Sequence, residues 1–205
     1  MAAKWSLPPV PDRDTGEPRP PVAPRGESAG NEMTPTGPVT GRNPVVPEAL
    51  GPVLEWSRPT HRDLWLITGG MVALLVVYLT VVNGFQWITM WPVWLFIALV
   101  VPFTFWRFGG EWFAAGAVWA QLGKSWVNTY ELVEIKFSVD GLNRVLRLKD
   151  SSGRQIYSFR LRNMQANPRM WDLVYNGILH SVASGNCEVT PKARKVLMLP
   201  AGLGE

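Results

Sequence analysis

Hydrophobic and polar positions divide this chain into three stretches with different periodicity. Residues 1–59 have no apolar period at all and contain 13 prolines with scattered charges of both signs. Between Asp63 and Arg107, 43 consecutive residues carry no charged side chain. From Thr129 the apolar period becomes two, and after Pro168 it changes to that of a helix.

The uncharged stretch is about twice the length a single helix needs to cross a bilayer at ~1.5 Å per residue. It therefore predicts a transmembrane hairpin, residues 60–108, with spans at about 64–82 and 87–106. Asn83-Gly84 supplies turn chemistry between them. Pro92 falls in the first turn of the second span, and Pro102 near its far end predicts a bend. Trp65, Trp87, Trp91 and Trp106 stand near the predicted interfaces, where amphipathic rings are favoured. Arg58 and Arg62 precede the first span and Arg107 follows the second, while the connection from Asn83 to Trp91 has no cation. That asymmetry predicts an integral multi-pass cell-membrane protein with both termini cytoplasmic. Neither span carries a charge, so the usual marker of a proton relay or ion path is missing.

After Gly109-Gly110, Trp112, Trp119 and Trp126 recur every seven residues, with Ala115 and Leu122 between them. The spacing predicts an amphipathic connecting helix over 109–127. Two uses fit that helix equally: a packing face against the next domain, or a membrane-interface helix with Lys124 near its polar side.

Residues 128–189 predict a small α+β cytoplasmic domain, an antiparallel three-stranded meander packed by a C-terminal helix. Leu132, Ile135, Phe137 and Val139 form the apolar side of a first strand, Leu146 and Leu148 alternate with Arg147 and Lys149, and Tyr157, Phe159 and Leu161 alternate with Ser158, Arg160 and Arg162. Asp140-Gly141 and Asp150-Ser151-Ser152-Gly153 are the turns. Asn167 is the predicted N-cap and Pro168 the first residue of the helix. Trp171, Val174, Tyr175, Ile178, Leu179 and Val182 line its apolar face, and Gly185 ends it. Residues 190–205 form a short tail.

Composition sharpens this division. Hydrophobic residues make up 47% and charged residues 18% of the 205, below the roughly 25% charged of a soluble domain, and there are 11 tryptophans. The proline-rich first segment has too little apolar surface to offset its ordering entropy, which predicts a disordered cytoplasmic tail acting as a spacer or displaying PxxP ligands. Its first residues lack an apolar core, so no signal peptide is expected. A single cysteine, Cys187, excludes an internal disulfide framework and any multi-cysteine zinc site.

The net charge of +4 is not evenly spread. Lys136 to Arg169 holds eight cations against Asp140 and Asp150. On the alternation, Lys136, Arg147, Lys149, Arg160 and Arg162 share a basic sheet face, the candidate surface for anionic lipid or an acidic protein partner. No aromatic residue interleaves with them in that reading, which disfavours nucleic acid. No catalytic, cofactor-binding or metal site is predicted. His61 and His180 have no partner at ligand spacing, Cys187 has no local base, and no phosphate loop or nucleophile elbow occurs.

The strands followed by Asp150-Ser151-Ser152-Gly153-Arg154 and by the run Asn167 to Val174, NPRMWDLV, resemble the bacterial PH-like (YcxB-like) domain family over residues 130–182. The resemblance covers about a quarter of the chain. It implies a membrane-side binding module, although three clear strands stand where a complete PH-like barrel has about seven. The reading as a whole is a non-enzymatic membrane anchor or adaptor that presents a basic module and a proline-rich tail to protein partners or anionic lipid. The alternative is an accessory subunit of a membrane translocation, secretion or conjugative-transfer complex.

Overall fold

The computed structural model describes residues 6–26, 50–57, 61–108, 112–140 and 143–204. The chain divides into two compact units, one formed by Met1–Ser57 with Trp112–Glu205 and the other by Arg58–Glu111.

The smaller unit contains two apolar helices, α1 (His61–Asn83) and α2 (Trp91–Phe108), joined by a 3-10 turn over Gly84–Thr89. Gly84 takes φ +59°, a left-handed conformation that glycine adopts without a Cβ penalty, so Asn83-Gly84 does form the break between helices. Within the connection Trp87 is buried, its Nε1–H donating to Thr80 Oγ1 at 2.9 Å and its ring lying 5.9 Å from that of Trp94. Pro102 is accommodated inside α2. Thr68–Thr89 is long and apolar enough to cross a membrane, with a mean hydropathy of 1.8 and only 6% of its window buried; Trp91–Thr104 is a shorter apolar helix.

The larger unit is a mixed α/β domain with two four-stranded sheets. The first has the order β1 (Glu55–Ser57), β2 (Phe113–Ala115), β3 (Trp119–Leu122), β4 (Ser125–Asn128), all antiparallel neighbours. The expected helix over 109–127 is therefore absent from the described residues of that stretch, and its sequence builds three strands instead. The seven-residue tryptophan spacing has a different origin. Each strand-plus-turn consumes about seven residues, so Trp112, Trp119 and Trp126 return to the same side of successive strands, where they gather with Trp56 in a small apolar cluster. Gly123, at φ +56°, makes the β3–β4 turn, and at Gly116 a Cβ would lie 2.3 Å from Trp119 Nε1.

The second sheet has the order β7 (Gln155–Arg160), β6 (Asn143–Asp150), β5 (Leu132–Asp140), β8 (Glu188–Val189). Strands β5, β6 and β7 form the expected antiparallel meander, and β8 adds a short parallel edge to β5. Register shifts between Leu146 and Leu148 in the β6–β7 pairing. This irregularity interrupts the simple alternation, so Ile156 and Phe159 enter the core while Tyr157 is exposed. Leu161 and Arg162 do not extend the strand; they open α3 (Leu161–Gln165).

Helix α4 (Pro168–Ala183) begins as its sequence signals, with Asn167 Oδ1 accepting from Met170 N–H and Pro168 in the first turn. Gly185, at φ +75°, follows the helix end. All six predicted apolar-face residues of α4 are buried, packed with Phe113, Ile135, Leu146, Leu148 and Phe159 from both sheets. Gly177 permits close approach, since a Cβ there would lie 2.4 Å from Thr129 Oγ1. The tail also has structure, including α5 (Pro191–Val196), whose Ala193 joins the core.

Residues 6–26 and 50–57 do not behave as the disordered spacer expected for 1–59. Residues 55–57 are strand β1, and residues 6–26 lie across α4. Side-chain donors and acceptors on α4 replace the hydrogen bonds a proline-rich chain cannot make to itself. The PxxP pairs Pro35/Pro38 and Pro44/Pro47 lie outside the described residues.

Candidate functional site

The charged surface of the second sheet is built by cross-strand pairing. Lys136 lies opposite Arg147, Glu134 opposite Lys149, and Val145 opposite Arg160. Lys136, Arg147, Lys149 and Arg160 thus share the side of the sheet turned away from Ile135, Leu148 and Phe159. Arg147 and Lys149 are exposed, whereas Lys136 and Arg160 are half-buried. Arg162 is exposed but belongs to α3, so the predicted five-residue face comprises four sheet residues and one helix residue.

This face is not uniformly positive. Glu134 Oε2 lies 2.9 Å from Lys136 Nζ, and that hydrogen bond is the chief cause raising the Lys136 pKa, with Arg147 acting in the opposite direction. Like charges directly opposite on neighbouring strands are unfavourable, and the Glu134 carboxylate offsets the Lys136–Arg147 opposition. Tyr157 is exposed on β7, its hydroxyl bonded by Gln155 Nε2, which adds an aromatic ring where alternation predicted none.

The predicted interfacial tryptophans separate into groups. Trp65 and Trp91 are exposed on their helices, and Trp87 is buried in the helical connection. The Trp106 side chain lies outside the described ones. Trp119 is a core residue at 1% exposure, and Trp112 and Trp126 are half-buried around it, so these three serve the α/β unit itself rather than a free amphipathic helix. The Arg154 guanidinium carbon stands 3.6 Å from the centre of the Trp126 ring.

A second arrangement was not legible as a site in the sequence. Along α4, Asp172, Asn176 and His180 follow one another at four-residue spacing, placing them on one stripe. Each binds backbone of residues 6–26. Ala23 N–H donates to Asp172 Oδ1 at 2.8 Å, Asn176 Nδ2 donates to Pro9 O at 3.0 Å, and His180 Nε2 meets Pro8 O at 2.7 Å. A carbonyl can only accept, so His180 carries its proton on Nε2 in this arrangement. Trp171 Nε1–H donates to Pro24 O at 2.8 Å, and Gly26 N–H to Gln165 Oε1 at 3.3 Å. Arg19 adds an ion pair to the buried Glu55 at 3.2 Å. Burial raises the Asp172 pKa, against the lowering effects of the Ala23 hydrogen bond and of Arg25 and Arg19. A cavity of about 460 Å³ lies between these residues and the helix, lined by Pro8, Pro21, Pro24, Tyr175, Asn176 and Leu179 among others. The sequence signal that points to this stripe is polar spacing at i, i+4 along a helix whose other face is apolar.

Among the described residues, no group of three or more His, Cys, Asp or Glu side chains converges to hold a metal ion. His180 faces the proline-rich segment, and Cys187 is half-buried beside β8 with its thiol pushed up to about 11, chiefly by burial and further by Glu134 and Glu188. The chain matches no protein-family model, no curated protein and no solved structure.

Proposed function

We propose that this chain is a non-enzymatic membrane adaptor. In this reading α1 and α2 cross the bilayer as a two-span hairpin, both termini are cytoplasmic, and the α/β unit presents its basic sheet face to anionic lipid headgroups of the same leaflet. The observation that carries the proposal is the exposed apolar surface of the two helices. Leu74, Val77, Val81, Phe96, Leu99 and Phe103 are all exposed, and a patch of this extent is unfavourable in water and favourable in lipid. Lengths of 23 and 18 residues correspond to about 34 and 27 Å of helix, near the ~30 Å of a hydrocarbon core.

Two further features support the basic face as the working surface. Arg147 and Lys149 are exposed on this face, and cations near an anionic leaflet add about 1 kcal/mol each. The sheet that carries this face packs with a second sheet and α4, a larger support than the three-stranded meander read from the sequence.

The test uses the full chain reconstituted in nanodiscs that contain a photoreactive anionic lipid. Cross-links should concentrate on β5, β6 and β7 and fall at least several-fold when Arg147, Lys149, Arg160 and Arg162 are changed to Gln. Equal cross-linking in the variant would reject the lipid role. Loss of the full chain from membranes on carbonate washing would reject the anchoring role independently.

A further inference from the structure

Seven prolines fall within residues 6–26, and the way this segment is held describes what its holder recognises. Proline has no N–H, so a proline-rich chain offers mainly carbonyl oxygens and fixed φ angles. The surface of α4, with the end of α3, answers that chemistry at two stretches of the segment. Three side-chain donors, Trp171 Nε1, Asn176 Nδ2 and His180 Nε2, meet the carbonyls of Pro24, Pro9 and Pro8. Side-chain acceptors, Asp172 Oδ1 and Gln165 Oε1, stand only where the segment has an N–H to give, at Ala23 and Gly26. Two stretches of the segment make these contacts, residues 8–9 on Asn176 and His180 and residues 23–26 on Asp172, Trp171 and Gln165, and between them Asp12 N–H donates to Glu17 O to close a turn.

Aromatic rings back the donors. The Tyr130 ring lies 5.2 Å from that of His180 and its hydroxyl accepts from Asn176 Nδ2, while the Tyr175 ring lies 5.6 Å from that of Trp171. Aromatic residues that combine an apolar face with a polar N–H or O–H are the chemistry by which grooves bind extended proline-rich peptides. The groove is also incompletely filled. Asn176 is 1% exposed, lines the cavity of about 460 Å³, and keeps its Oδ1 buried without a hydrogen-bond partner. A ligand that brings a donor to this oxygen makes one hydrogen bond more than residues 6–26 do.

We propose that the α4 groove is a receptor for proline-rich segments, occupied in the resting chain by its own residues 8–26, and that a proline-rich segment of a partner protein displaces them. Occupation by a segment of the same chain sets a threshold, because an intramolecular ligand competes at an effective concentration that a free ligand must exceed. The groove therefore opens only to a ligand that is better matched, or itself held nearby. Its recognition chemistry is distinct from that of the basic sheet face, and it does not depend on the lipid reading.

The experiment weakens the internal ligand. In the full chain, Ala23→Pro removes the N–H given to Asp172 and replaces no residue of α4. A fluorescent peptide with the sequence of residues 6–26 should bind A23P about tenfold more tightly than the wild-type chain, the size expected for one hydrogen bond to a carboxylate. Binding to A23P should be lost with a peptide whose prolines are replaced by alanine, and should weaken when His180→Ala is added. Deuterium uptake within residues 6–26 should rise as peptide is added. Equal binding to wild type and A23P, or equal binding of the alanine peptide, would overturn the proposal. Exchange of the segment between two copies of the chain, with no capture of free peptide, would overturn the partner reading.

Discussion

Asp150 accepts a hydrogen bond from the backbone N–H of Asn128 at 3.1 Å, joining the end of β6 to the end of β4 and so one sheet to the other. The carboxylate is fully buried, yet its other acceptor positions are also filled, by the N–H groups of Ser152 and Arg154 and by Arg154 Nε at 2.7 Å. Arg154 in turn lies over Trp126 on β4. A turn residue, a cation and an aromatic ring thus close the same corner twice, by hydrogen bonds and by stacking.

Asp150→Ala leaves Asn128 N–H and the Arg154 side chain without their acceptor, one in the interior and one at its edge. The expected loss is about 3 kcal/mol, in the range for breaking a buried charged pair. Urea denaturation of the full chain in detergent measures it, and a loss below about 1 kcal/mol would mean that this corner does not hold the sheets together.

Arg154→Lys retains the charge but gives up the planar guanidinium that both stacks on Trp126 and donates through Nε. It should cost about 1 kcal/mol, most of the effect of Arg154→Ala, because lysine does not reproduce the planar stack. Recovery of full stability by lysine would show that charge alone matters at this position.

Gly177→Ala places a Cβ 2.4 Å from Thr129 Oγ1 and 3.0 Å from the Thr129 carbonyl carbon. The helix must then move from β5, where Ser181 Oγ both accepts from Leu132 N–H and donates to Thr129 O. Overpacking of this kind costs about 1–3 kcal/mol, against a small gain in helix propensity. Adding Thr129→Gly should recover part of the loss, since it removes both the hydroxyl and the Cβ that stands 2.5 Å from the new methyl, but not the backbone carbon. A G177A chain as stable as wild type would show that α4 is not seated this closely.

Alkaline pH should weaken the α/β unit. The Cys187 thiol is pushed up to about 11 from 9.0, and burial pushes the Tyr130 and Tyr175 hydroxyls up to about 12 from 10.0, against a lowering hydrogen bond from Asn176 at Tyr130. A raised pKa means that the folded chain keeps its proton longer than the unfolded chain. That stability is intact below about pH 9 and is lost as pH rises through 11 to 12. At pH 8 the thiolate fraction of Cys187 should be about a hundredfold lower in the folded chain than in urea, read as the rate of iodoacetamide labelling. Equal rates in the two states would contradict a buried thiol.

Much of this architecture is carried by short-range signals. The helix α4 announces itself through Asn167, Pro168 and Gly185 together with six apolar residues at helical spacing, because caps and periodicity act within a turn or two. The meander β5–β6–β7 is equally readable from alternation and turn residues, and the two apolar helices from a long run without charge. These features depend on neighbours close in the chain, and the sequence by itself determined them.

Tertiary structure decided the rest. A seven-residue spacing of Trp112, Trp119 and Trp126 satisfies a helix or a set of short strands, and pairing with β1, which precedes the apolar helices in the sequence, accompanies the choice of strands. The irregular pairing near Leu146 put Tyr157 outside and Ile156 inside, which alternation alone cannot register. Residues 6–26 have little apolar surface of their own, and their order comes from donors and acceptors on α3 and α4 some 140 to 170 residues further along the chain. A proline-rich segment supplies carbonyls but almost no donors, so whether it is ordered depends on what another element offers it, and only the folded molecule brings that element alongside.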